Sequence, residues 1–193
     1  MKLNIVTKKV KSYIKELTIV TIGVLIALII SNYKENNQAE KYHSASIETI
    51  KKEVEVNLNE LKKVTEKQAM LLDTIKNYQR KPLLIGELFS KTGGFQVAFL
   101  GNTGLEFYKR NQVNAIDFEM MSTLIQMNML SKVIDTKVDK CLDYIYQNIF
   151  TDSEESKMVI IIRVGDILQS ETQLIHDYED FIDKYIEITN KAE

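Results

Sequence analysis

Three successive patterns of apolar and polar positions divide the chain. In the first, Leu17 to Tyr33, 17 residues pass without a charge and ten of them are Leu, Ile or Val. Such a run has no polar face and lies at the short end of what spans a bilayer. In the second, Ile47, Ile50, Val54, Asn57, Leu61, Val64, Gln68, Leu71, Ile75 and Tyr78 recur at alternating spacings of three and four, the period of one helix face. Neither Pro nor Gly occurs from Ser31 to Tyr78. The spanning helix is therefore expected to continue into a long stalk helix over 34–80, stopped by Pro82, which disfavours α conformation at Lys81. Asn57 and Gln68 interrupt the apolar row. Either they fix its register or they sit at a wet edge, and for Gln68 the wet edge is the expectation.

The third pattern is mixed. Five of the seven glycines lie between Gly86 and Gly104, yet the segment 81–104 also holds Leu83, Leu84, Ile85, Leu88, Phe89, Phe95, Val97, Phe99 and Leu100. A solvated loop does not gather so many large apolar side chains. Two readings follow: an irregular loop folded over the end of a bundle, or a tip whose Phe89, Phe95 and Phe99 touch a partner. Helical pattern resumes over about 103–109, 114–128 and 131–150. Thr151 to Glu154 (TDSE) fits a capping box, opening a last helix over about 152–190 with Met158, Ile161, Leu168, Ile175, Ile182 and Ile186 as its seam. Gly165 interrupts that seam, where a neighbouring helix could approach closely. The expected architecture is all-α: an N-terminal transmembrane helix continuous with a long helix, and an antiparallel extracytoplasmic helical bundle whose part 105–193 returns toward the membrane.

Composition supports helices. One Pro, no Trp and 27% charged residues leave few of the turns an all-β fold requires. Cys141 is the sole cysteine, so no disulfide within the chain can assist. Charge then adds orientation. Residues 1–16 hold Lys2, Lys8, Lys9, Lys11 and Lys15 against Glu16, while from Lys34 onward 20 basic residues meet 26 acidic ones. The positive-inside rule places the basic end in the cytoplasm and the acidic bulk across the inner membrane, in the periplasm. Tyr13 with Lys15, and Tyr33 with Lys34, bracket the apolar run; the two tyrosines are about 30 Å apart along a helix, which suits anchors at the two lipid interfaces. A buried core helix or a cleaved signal peptide are the competing readings. No small-x-small site closes the run, because Ile29 lies two residues before Ser31, so an uncleaved single-pass anchor is expected.

The stretch ELTIVTIGVLIALIISNYKENNQ, followed by IETIKKEVEVNLNELKKV, resembles a family of small single-pass membrane proteins of Bacteroidota-type bacteria that carries no assigned activity. The resemblance rests on Glu16 at the membrane edge, Gly23 to Leu28, Asn32 with Tyr33, and Glu53 with Asn57. It covers about Lys15 to Val64 and departs at Tyr33, where members usually carry Trp. It implies an anchored helical protein and no substrate or catalytic residue.

Candidate chemistry is sparse. Gly23, Ala27 and Ser31 recur every four residues, a spacing that lets transmembrane backbones pack closely; Glu16 falls near the same face, where Lys15 of a neighbouring copy would suit it. A homo-oligomer is expected. Glu40 and His43 have the spacing of half a di-iron site, but Gln173 stands where His176 would need its matching Glu. Cys141 among Val138, Leu142 and Ile145 reads as a core thiol. KTGG and GNTG lack the Lys-Ser/Thr ending of a phosphate loop, and an acidic exported part disfavours nucleic acid. No cofactor, metal or enzymatic role is expected. The expected role is a membrane-anchored scaffold or accessory subunit that contacts lipid and another envelope protein or its own copies. The alternative is a sensory bundle that binds a ligand between its helices.

Overall fold

The computed structural model describes the backbone of residues 3–111 and 118–187, and side chains from Tyr13 onward except at 107, 108, 110, 111, 186 and 187. The described residues form five α-helices and no strand: α1 (Leu3–Asn77), α2 (Ile85–Thr92), α3 (Thr103–Asn111), α4 (Phe118–Asn148) and α5 (Glu154–Ile182), with a π-helical turn at Asp183–Glu187. Two units divide the chain, Met1–Ala45 and Ser46–Glu193.

The first unit consists of helix α1 alone. Every described side chain from Tyr13 to Tyr42 is exposed. Its hydroxyls turn back on their own helix: Thr18 donates to the Ile14 carbonyl and Thr21 to the Leu17 carbonyl, both at 2.8 Å. That removes their polar hydrogens from the helix surface.

The second unit holds the core. From α1 it takes Ile50, Val54, Leu61, Val64, Leu71 and Ile75, all in the row given by the three–four spacing, and Leu58 beside that row. From α4 come Met120, Leu124, Met127, Ile134, Val138, Cys141 and Ile145, and from α5 Ile160, Val164, Ile167, Leu174, Tyr178 and Phe181. α4 is one helix where two segments, to Asn128 and from Ser131, were expected. Asn128 and Ser131 are polar, but neither breaks a helix whose buried row runs past them from Met127 to Ile134. Residues 114–117 of the expected segment lie outside the described residues.

Three local expectations fail at α5. The N-cap is Ser153, whose hydroxyl accepts the Ser156 N–H at 3.2 Å. Thr151 instead accepts the Ser153 N–H at 3.3 Å, and Glu154 pairs with Arg80. The buried row also lies one position before the expected one. It includes Lys157 and Glu171, both fully buried, while Met158 is 44% exposed and Ile161, Leu168, Ile175 and Ile182 are half-buried. A row drawn through apolar residues alone slides off a face that contains two charged side chains. Finally, a Cβ on Gly165 would meet nothing within 4 Å, so no helix approaches there.

The segment 81–104 is not an irregular loop throughout. Its first half is α2, which docks on the α4–α5 connection: Ile85 N–H donates to the Thr151 carbonyl and Gly86 N–H to that of Ile149, each at 2.9 Å. The side chain of Glu87 accepts the Leu84 N–H, half of a capping box. At the far end Gly93 and Gly94 have φ of 78° and 87°, and Gly94 N–H closes on the Phe89 carbonyl at 2.8 Å, an end that glycine makes without strain. Ile85, Leu88 and Phe89 are buried, and Phe95 packs on the core. Of the three aromatic residues expected at a partner-contacting tip, only Phe99 is exposed, at 86%.

Candidate functional site

Residues 93–102 cross the second unit as a non-helical strap; two polar side chains of α1 hold it, and a third holds the start of α3 just beyond it. Gln68 donates Nε2–H to the Gln96 carbonyl at 2.9 Å. Asn57 grips Gly101 from both sides, donating to its carbonyl at 2.8 Å and accepting its N–H at 2.9 Å. Glu53 accepts the Thr103 N–H at 2.7 Å and the Gly104 N–H at 2.9 Å, placing a carboxylate on the positive end of α3. Gly101 suits this approach, since a Cβ there would lie 2.8 Å from a Glu53 carboxylate oxygen. The two polar interruptions of the α1 row are thus the attachment points of a strap. Gln68 is fully buried, not at a wet edge.

Behind the strap, α5 contributes two buried titratable groups. Tyr178 accepts from Asn57 Nδ2 at 3.3 Å, and burial pushes its phenol up to about 12. Glu171 meets Gln68 Nε2 at 3.0 Å and the Thr65 hydroxyl at 3.4 Å. Burial pushes its carboxyl up to about 7, against the opposing pull of these two neutral contacts. A third buried ionisable residue, Lys157, donates to the Lys81 carbonyl at 2.7 Å, satisfying a carbonyl just past the end of α1, where cations are favoured. Sequence reasoning gave no structural role to Glu53, Glu171 or Lys157, although Glu53 with Asn57 carries part of the resemblance. The signal was present for two of them: Glu171 lies four residues after Ile167 and three before Leu174, and Lys157 three before Ile160, all apolar positions on one face.

The strap forms one wall of a half-open cavity of about 120 Å³. Leu100 and Gly101 line it on one side, Leu124, Met127 and Asp135 on the α4 side, and Tyr178 at the back. Burial, and then Asp139, raise the Asp135 carboxyl above its ordinary value. Cys141 is buried in the core and burial pushes its thiol up to about 11, which leaves it protonated and unreactive at neutral pH. His176 and Asp180 pair on the surface. Among the described residues no three His, Cys, Asp or Glu side chains gather as metal ligands.

The other expected positions belong to the first unit. Tyr13, Lys15, Glu16, Gly23, Ala27, Ser31, Tyr33 and Lys34 are all exposed on α1, and nothing lies within 4 Å of a Cβ built on Gly23. An 18-residue window of this helix has a mean hydropathy of 2.1 with none of it buried, so α1 is long and apolar enough to cross a membrane. No protein-family model, curated protein or solved structure matches the chain.

Proposed function

We propose that this chain is a single-pass membrane protein, N-terminus in the cytoplasm, whose second unit is a periplasmic helical scaffold or accessory subunit for other envelope proteins. The observation that carries the reading is the apolar window of α1 whose side chains find no cover among the described residues. The ten Leu, Ile and Val residues of the run contribute roughly −3 to −6 kcal/mol to insertion, and the back-bonded threonines add little opposing cost. The lysine excess before the window supports the orientation. An antiparallel arrangement is supported by the pairing between α1 and α5, which runs in opposite chain order: Asn57 with Tyr178, Thr65 with Glu171, and, three residues past the end of α1, Arg80 with Glu154.

In this reading the Gly23, Ala27 and Ser31 face, flanked by Glu16, joins copies in the bilayer. Alkaline phosphatase fused after Asn32 or Gly94 tests the topology: activity is expected from both fusions, and inactivity of both overturns it. Ala27→Cys tests association, because the native thiol is buried. Oxidative cross-linking to a dimer is expected, and a monomer only, in native membranes, counts against the oligomer. The cavity beside Tyr178 favours a second reading, a ligand-sensing bundle. A small ligand retained through gentle-detergent purification of a monomer would place that reading first.

A further inference from the structure

Glu171 occupies a site built for an uncharged acid. Its side chain is fully buried, as is Gln68 beside it. The neighbours one helical turn away on α5, Ile167, Leu168, Leu174 and Ile175, are apolar. From α1 it meets only neutral groups, Thr65 and Gln68. Charged side chains on the packed elements are engaged elsewhere: Lys62 of α1 with Glu179 of α5 at 2.6 Å, and Lys137 of α4 with Asp166 and Ser170 at 2.8 Å each. Asp135 of α4 faces the cavity, and the strap presents the uncharged Gln96.

The hydrogen bonds close only for the protonated carboxyl. Thr65 has one hydroxyl hydrogen, and the Leu61 carbonyl takes it at 2.7 Å. Its oxygen is then free to accept from a Glu171 O–H, while the other carboxyl oxygen accepts from Gln68 Nε2. An ionised Glu171 keeps a single firm donor, the same amide nitrogen that holds the strap through Gln96. Burying a carboxylate on one neutral hydrogen bond is costly. Relief requires drawing the amide toward the anion or admitting water. Gln68 Oε1, buried with no hydrogen-bond partner, offers such water a second contact.

We propose that Glu171 is a proton-operated latch on the strap 93–102: protonated, it lets Gln68 hold Gln96, and ionised, it releases that end of the strap. The hinge is in place, since Gly93 and Gly94 begin the strap in left-handed conformation. Asn57 and Glu53 retain the far end at Gly101 to Gly104, so release is local. The inference is independent of both readings of function.

Amide hydrogen exchange of the full chain in detergent, followed by mass spectrometry from pH 5.5 to 8.5 and corrected for the intrinsic chemical rate, tests this. Protection of peptides within 93–102 is expected to fall by about tenfold across neutral pH, while the α4–α5 connection stays constant. In Glu171→Gln the strap protection is expected to be flat with pH. Equal pH dependence in wild type and variant, or none in wild type, overturns the latch. Should Glu171→Gln fold poorly, carbon-13 NMR of glutamate-labelled wild type decides: a buried carboxyl titrating near neutrality supports the proposal, and titration of every carboxyl in the ordinary acidic range overturns it.

Discussion

Helix α1 contains two stretches with nearly equal numbers of Leu, Ile and Val, ten over residues 17–30 and nine over 50–75, and opposite burial. Between Leu17 and Ile30 its Leu, Ile and Val side chains are 50% exposed or more; between Ile50 and Ile75 the apolar row Ile50, Val54, Leu61, Val64, Leu71 and Ile75 is at most 5% exposed. The number of apolar residues is therefore not what separates them. Periodicity is. The second stretch gathers most of its apolar residues on one face and gives the other mainly to Lys and Glu, so protein can cover that face. The first is apolar all round, and only a solvent that is itself apolar, or several neighbours, can cover that.

The largest expected effect comes from making the first stretch resemble the second. Leu25→Lys with Ile26→Lys puts charge in the middle of the window and should cost insertion about 6–8 kcal/mol. The measurement is membrane fractionation, with loss of the integral-membrane fraction as the expected outcome. Next comes a change confined to the packed stretch. Leu61→Ala, at a fully buried position, should destabilise the second unit by about 2–5 kcal/mol and leave fractionation unchanged, as read by thermal unfolding in detergent.

A third effect separates the stretches by pH. Folding holds the Glu171 carboxyl at about 7 against an ordinary 4.5, so the folded state binds its proton more tightly than the unfolded one. Stability from this group is full below about pH 4.5, falls as pH rises, and is gone above about 7, a loss of about 3 kcal/mol. Melting temperature should accordingly drop between pH 5 and 8, and Glu171→Gln should remove most of that slope. The smallest expected effect contrasts two phenylalanines. Phe99→Ser, at an exposed site, should change stability by less than about 0.5 kcal/mol, whereas Phe89→Ala, at a buried one, should cost about 3–5 kcal/mol.

Those two phenylalanines also show how far the sequence could be read. The helices were legible because apolar spacing is a local property: the row from Ile50 to Ile75 can be counted without knowing what covers it. The strap was not. Whether Phe89, Phe95 or Phe99 faces inward depends on α2 forming over Ile85–Thr92, and α2 depends on backbone donors meeting Ile149 and Thr151, far along the chain. The polar core failed for a related reason. Gln68 looks like a defect in an apolar row until the Gln96 carbonyl is known to lie opposite it. Lys157 and Glu171 displaced the expected α5 seam because a row drawn through hydrophobic residues cannot anticipate buried charge.

The corner at Gly93 and Gly94 has a stereochemical consequence. A methyl group on either residue would meet no atom within 4 Å, so room is not what reserves these positions for glycine. Handedness is: an L-alanine at φ near 80° is strained, while its mirror image is at ease there. A chain assembled by chemical ligation with D-alanine at both sites should therefore keep the native turn and lose backbone freedom when unfolded, stiffening this one bend.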